Sequence, residues 1–215
     1  MTTQTEYKQD FLSVAKGRRS VRVYDPNWSL SKEELNDILE TAVLAPSSSN
    51  LQPWRFLVID DAEQKQKLLP IAFNQQQVVD ASAVIAVLGD IQSYEKAEQI
   101  YDQAVKAGFM SEATKSDFVK RTTGMYSSLP LEKRRDIVLV DGGLVSMQLM
   151  LAARAKGYDT VPMGGYDAAK FKEAFGISER YVPVMLIALG KAAKEGHPTG
   201  RLSAEELTFW NHMGS

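Results

Sequence analysis

The 215-residue sequence contains no cysteine. That excludes thiolate nucleophiles, disulfides and thiolate metal sites, and it is compatible with a reducing cytosol. Histidine is scarce: His197 and His212 are the two present, both near the C-terminal end. They are too few for a zinc site, and neither stands beside a strained serine turn as a Ser-His-Asp triad requires. No Gly-x-Gly-x-x-Gly fingerprint and no P-loop occur. An excess of one charge is also missing. The 25 Lys and Arg against 27 Asp and Glu leave a net charge of −2 and a pI near 5.8. Such a surface has no basic field for nucleic acid or acidic membranes. Met1–Glu6 lacks the basic and apolar regions of a secretory signal. The longest apolar run, Ile137–Ala153, is interrupted by Asp141, Gly142, Gly143 and Gln148, so it reads as a buried helix rather than a membrane span. These absences predict a soluble, cytoplasmic protein.

What is present is enough for a core. Apolar residues make up 44% and charged residues 24%, the balance of an ordinary globular chain. A first helix is read over Tyr7–Lys16, with Phe11, Val14 and Ala15 at helical spacing and Gly17 as its stop. Arg18-Arg19-Ser20-Val21-Arg22 then reads as extended, Val21 and Val23 pointing one way and Arg18, Ser20 and Arg22 the other. Converging guanidiniums repel unless an anion joins them, so the segment is either a solvated basic turn or a phosphate site. Ser31 and Glu34 make a capping box for a helix carrying Leu35, Ile38, Leu39, Ala42 and Val43 on one stripe and ended by Pro46.

The stretch that follows, Ala45-Pro46-Ser47-Ser48-Ser49-Asn50-Leu51-Gln52-Pro53-Trp54, holds three hydroxyls, two carboxamides and two prolines and no charge. Each proline fixes its own φ and restricts its predecessor. Neutral donors on a stiffened backbone suit a flat, polar ring system; an ordinary Ser/Asn/Pro turn is the plainer reading. Trp54–Ile59 and Ser82–Leu88 read as strands, and Asp60–Leu69 as a charged helix start. Between them Asn74-Gln75-Gln76-Gln77 reads as a polar turn. Residues 93–128 read as an excursion of one or two helices, where a substrate lid would be placed. Leu131–Lys156 is one helix of roughly 39 Å, apolar on nearly every face in its later part, which calls for a second copy of the chain as cover. Asp159–Met163 is a short strand leading to Gly164-Gly165, where a backbone N–H can approach a ligand closely. Asp167 caps a helix over Ala168–Phe175, and Val182–Leu189 is the last strand. The tail, about 190–215, carries Leu207, Phe209 and Trp210 and must dock on its own core or on a partner. The alternation argues α+β or α/β, a single sheet flanked by helices in one domain over 1–215. Binding groups without an acid–base or metal apparatus point to a cofactor as the chemical agent.

Taken together, the arginine cluster, the Pro-Ser-Ser-x-Asn-x-Gln-Pro-Trp motif, Val161-Pro162-Met163-Gly164-Gly165-Tyr166-Asp167 and Gly200-Arg201 resemble the nitroreductase family in order and spacing. The resemblance spans nearly the whole chain. It implies an α+β sandwich, mainly antiparallel, intertwined as a homodimer around the long central helix, with FMN at the interface and NADH or NADPH as reductant. By motif position, Arg18, Ser20 and Arg201 would hold the FMN phosphate, and Arg19 would contribute largely through its backbone. Arg22 would lie near the N1/O2 edge of the ring, where a guanidinium favours the negative charge that reduction develops. Pro46, Ser47, Ser48 and Asn50 would come from the partner chain. Asn74 would reach the pyrimidine side, and the Gly165 N–H would face N5. Gln77 and Gly164 join this cofactor-binding set.

No catalytic side chain is implied, and no metal. The implied activity is ping-pong reduction of nitroaromatics, quinones or similar acceptors. Alternatives are a low-turnover flavin-binding protein, or the same scaffold used for another flavin reaction such as dehalogenation. Some family members carry Lys at the position of Gln77 and Glu at that of Gly164. The neutral Gln77 implies a lower flavin potential than in those members, with Arg22 carrying most of the effect.

Overall fold

The computed structural model describes residues 10–213. In chain order the elements are α1 (Phe11–Gly17), β1 (Val23–Tyr24), α2 (Lys32–Ala42), β2 (Trp54–Ile59), α3 (Ala62–Ile71), α4 (Gln77–Asp80), β3 (Ala83–Asp90), α5 (Ala97–Lys106), α6 (Glu112–Ser128), α7 (Leu131–Ala155), β4 (Asp159–Met163), α8 (Ala168–Ala174), β5 (Tyr181–Gly190), β6 (Ala192–Lys194) and α9 (Ala204–Leu207). Strands β2, β3, β5 and β4 lie in that order in a wholly antiparallel sheet. All eight residues of β3 are buried, because both of its faces are covered. Val84, Ala86 and Leu88 point to a cluster with Leu68, Ile71, Val78 and Phe171 from α3, α4 and α8. Ile85 and Val87 point the other way, to Leu35, Ile38, Val145 and Leu149 of α2 and α7. Alternation at period two thus splits one continuous apolar run between two cores. Each fully buried aliphatic side chain contributes about 1.5–3 kcal/mol.

Helix α7 sets the architecture. It packs on α2 and crosses β3 and β5. Two glycines make that crossing close. A Cβ at Gly89 would stand 2.7 Å from Val138, and one at Gly142 would stand 2.6 Å from Val184. The opposite stripe is bare: Val140, Leu144 and Met147, spaced i, i+4 and i+7, are 64%, 43% and 41% exposed. The helix is long and apolar enough to cross a membrane by composition, but its packed side is that of a core helix.

Several sequence-based expectations are corrected. The sheet is not single: β1 and β6 form a separate two-stranded ribbon, with a register irregularity between Val23 and Tyr24. The same irregularity breaks the expected alternation. Val21 and Tyr24 are buried, whereas Val23 is exposed. Helix α2 ends at Ala42, short of Pro46, since the proline disfavours helical geometry at Ala45 and a turn closes first, Ala45 N–H to Ala42 C=O. In α1 only Val14 of the expected apolar face is buried, and Phe11 and Leu12 are left uncovered. The expected start of that helix at Tyr7 lies outside the described residues. The excursion holds α5 and α6 around a small core of its own, Leu51, Ala97, Tyr101 and Tyr126. In the tail, Leu207, Phe209 and Trp210 are exposed on the single chain.

Candidate active site

The arginine cluster is assembled from both ends of the chain. Helix α1 ends at Gly17 and delivers Arg18 as its C-cap. Ser20 then bridges to Thr160 of β4, and the Val21 N–H donates to Thr160 C=O at 3.1 Å. Strand β6 returns beside β1, and the tail passes so close that a Cβ on Gly196 would be 2.6 Å from Arg19 Cβ and 3.0 Å from Ser20 C=O. Such an approach requires glycine. Arg201 is carried to the vicinity of Arg18, close enough that its charge, with that of Arg19 and the effect of burial, depresses the Arg18 pKa; burial is the largest cause. Arg19 turns away and donates to Lys16 C=O at 2.5 Å and Arg18 C=O at 2.8 Å, at the negative end of α1.

Arg18 Nη1 is buried and has no hydrogen-bond partner. Among the described residues the other two buried, unpaired side-chain nitrogens belong to Arg134 and Arg154, each of which is paired through its Nη1. A half-buried guanidinium with a buried, unpaired nitrogen, repelled by two more, is unfavourable unless an anion completes it. A phosphate dianion fits that demand, and the residues present therefore suit the phosphate of a nucleotide cofactor. Arg22 is exposed and makes only a 3.5 Å approach to Ser20 C=O.

The neutral loop is strained and pinned. Ser49, Asn50 and Gln52 have φ of +50°, +52° and +45°. The Ser47 hydroxyl accepts from Gln52 N–H at 3.0 Å. Ser48 directs both of its donors inward: its N–H and hydroxyl each lie 3.1 Å from the carboxylate of Asp141 on α7. Tyr101 of α5 donates to Ser49 C=O at 3.0 Å, and Tyr126 of α6 meets the Ser49 hydroxyl at 3.2 Å. Pro46 and Asn50 are exposed. Asp141, read from sequence as an interruption of an apolar helix, is thus the buried anchor of this loop; an acid inside such a run was the available signal. Burial raises its pKa against the opposing Ser48 hydrogen bonds. The native state therefore holds this proton more tightly than the unfolded chain does. Stability from this group is fully present below the ordinary value of 3.8 and is lost as pH rises through the raised folded pKa. Asp141→Asn is expected to remove that loss. Chemical denaturation from pH 4 upward should show the wild type losing ground against the variant as pH rises, and the reverse slope would contradict the assignment.

A second strained turn faces the tandem glycine. Phe73 and Asn74 have φ of +55° and +56°. Five of the six non-glycine residues with positive φ among the described residues lie in these two loops, and such strain concentrates where function holds it. Asn74 is exposed. Gln77 is buried and donates to Gln75 Oε1 at 2.9 Å, and Gln75 in turn donates to Gly165 C=O at 2.7 Å. Asp167 N–H adds a bond to Ile71 C=O at 2.9 Å. Sequence reading missed Gln75, although it sits within the carboxamide run. The relay holds the Gly165 carbonyl, and the Tyr166 N–H donates to Gly164 C=O at 3.2 Å in the preceding peptide plane; Gly164 and Gly165 stay exposed, and the Gly165 N–H has no acceptor among the described residues.

The structure brings the arginine cluster beside β4, and the 73–77 turn against the glycines that follow β4. The 46–52 loop is instead held by Asp141 of α7 and Tyr101 and Tyr126 of the helical excursion, and has no hydrogen bond to the other two groups among the described residues. Residues 15–191 match the Nitroreductase family. The chain is 53% identical over 203 residues to YdgI of Bacillus subtilis, which bears an NAD(P)H nitroreductase name; the match covers 94% of this chain and 97% of the relative. It is 35% identical over 202 residues to a CLA biosynthesis enone reductase of Lactiplantibacillus plantarum, covering 93% of each. Among solved structures, a nitroreductase of Exiguobacterium sibiricum in complex with FMN superposes with a TM-score of 0.91 at 52% identity, covering 98% of this chain and all of that one. The chain belongs to the nitroreductase family, and its fold is the nitroreductase fold.

Proposed function

We propose that this protein is a cytoplasmic, FMN-dependent NAD(P)H oxidoreductase that works as a homodimer and reduces nitroaromatics, quinones or similar acceptors in a ping-pong cycle. The observation that carries this reading is the half-buried Arg18 guanidinium, its buried Nη1 unpaired, under the charges of Arg19 and Arg201. When bound, FMN supplies the two-electron chemistry, so that NAD(P)H, a proton and an acceptor give NAD(P)⁺ and the acceptor carrying two more hydrogens. Arg18, Ser20 and Arg201 hold the phosphate. Arg22 favours negative charge at the N1/O2 edge, Asn74 serves the pyrimidine side, and the Gly165 N–H donates to N5 with Gly164 beside it. Gln77 acts through Gln75 and Gly165, which its burial and its hydrogen bond support. Pro46, Ser47 and Asn50 come from the partner chain, and Ser48 holds their loop to Asp141. One relative's name records enone reduction, so conjugated carbonyl compounds belong among the acceptors to test.

The bare stripe on α7 supports the dimer, with the exposed tail reaching the second copy. Leu144→Glu would place a charge in that seam, so light scattering should show a monomer that has lost its flavin; a flavin-loaded dimer would contradict the placement. For the activity, the purified protein should be yellow, bleach anaerobically with NADH or NADPH, and recover its colour when a nitroarene or quinone is added. A yellow protein that neither nicotinamide bleaches would favour the flavin-storage alternative instead.

A further inference from the structure

A cavity of about 520 Å³ lies between α5 and α6, with Ser49 and Asn50 of the neutral loop in its wall. Its lining is mostly apolar: Tyr101, Ala104, Met110, Phe118 and Met125. One charge enters it, Arg121, whose guanidinium stacks on the Phe118 ring at 4.6 Å and has no carboxylate within ion-pair distance among the described residues. Of the cations on α5 and α6, Lys106, Lys115, Lys120 and Arg121, Arg121 is the one in the wall of this cavity; Lys115 lies outside it and is held by Glu98, Asp102 and Glu112. The polar groups deeper in the wall are already engaged: the Tyr101 hydroxyl donates to Ser49 C=O and lies 3.4 Å from Thr122 Oγ1. What remains is a single solvent-exposed cation in the wall of an otherwise mostly apolar slot, oriented by its stack on Phe118. Stacking leaves the guanidinium edge free to bind a carboxylate bidentately.

We infer that this cavity is an acceptor-selecting subsite for apolar or aromatic molecules that carry a carboxylate, and that Arg121 is its specificity-determining residue. The inference rests on the oxidoreductase reading and names its substrate class. The probe pair is 4-nitrobenzoate and nitrobenzene, which differ in the carboxylate. The reaction followed is 4-nitrobenzoate + NADPH + H⁺ giving 4-nitrosobenzoate + NADP⁺ + H₂O; the nitro group is reduced by two electrons and its lost oxygen leaves as water.

The experiment uses the FMN-loaded dimer. The ratio of kcat/KM for 4-nitrobenzoate over that for nitrobenzene is expected to fall about tenfold in Arg121→Met, mostly through KM, with partial recovery in Arg121→Lys. Calorimetric titration with benzoate should show the same order of affinities without turnover. Ala104→Phe, which narrows the slot, should raise KM for both acceptors. An unchanged ratio in Arg121→Met would overturn the inference. So would a rise in KM for NADPH but not NADH with the acceptor ratio intact, since the cation would then serve the nicotinamide's phosphate. If neither acceptor is turned over by the wild type, it is the oxidoreductase reading that fails, whereas benzoate binding still reports on the subsite.

Discussion

Arg18→Ala is expected to weaken FMN binding by roughly two orders of magnitude, the loss of charge-assisted bonds to a phosphate worth about 3 kcal/mol. The same variant without flavin should melt no lower than the wild type. In the free protein the Arg18 guanidinium is partly buried, its Nη1 lacks any partner, and Arg201 and Arg19 repel it. Removing it relieves that repulsion. A structural arginine would behave in the opposite way, lowering the melting temperature and leaving FMN affinity unaltered. Fluorescence quenching on titration with FMN, alongside thermal melts of apoprotein, distinguishes the two.

Asp90→Ala should cost the fold about 3 kcal/mol, against a total of about 5–15 kcal/mol for a typical domain. Asp90 is fully buried at the end of β3. Arg180 chelates it through Nε at 2.6 Å and Nη2 at 2.9 Å, and Arg55 adds a third contact at 3.1 Å. Gln92 N–H donates to the same carboxylate at 3.0 Å, and Arg180 reaches on to Glu95 at 2.9 Å. The Arg180 pKa is raised, chiefly by its hydrogen bond to Asp90. One carboxylate thus ties β2, β3, the approach to β5 and the root of the helical excursion. The arginines are about 30% exposed and rehydrate in part when it is lost, which keeps the cost at the lower end for a broken buried pair. Urea unfolding at fixed protein concentration should show a lower midpoint with an unchanged slope; an unmoved midpoint would show that the network is dispensable.

Much of the fold was legible because local chemistry and tertiary packing agree. Trp54–Ile59 lies between Pro53 and the turn at Asp60, and its bounds are those of β2. Leu131–Ala155 follows Pro130 and ends before Gly157, whose φ of +83° suits glycine. The Ser31–Glu34 capping box forms as read. Illegible parts depend on distant partners. Strands β1 and β6 have two and three residues, too few for a periodicity, and exist because the ends of the chain meet. In the site, residue types that announce a loop were visible, but their pairings were not. Nothing local says that Ser48 bonds to an aspartate 93 positions later, or that Gln75 reaches Gly165. The arginines were legible as a group; that Arg19 folds back and Arg18 stays unpaired required the helix end that aims them.

Comparative titration of the apoprotein with FMN and with riboflavin isolates the phosphate cradle, since the two ligands share the ring system and differ in the phosphate. FMN should bind at least about a hundredfold more tightly, and Arg18→Ala should collapse that difference. Equal affinity for the two ligands in the wild-type protein would contradict the account.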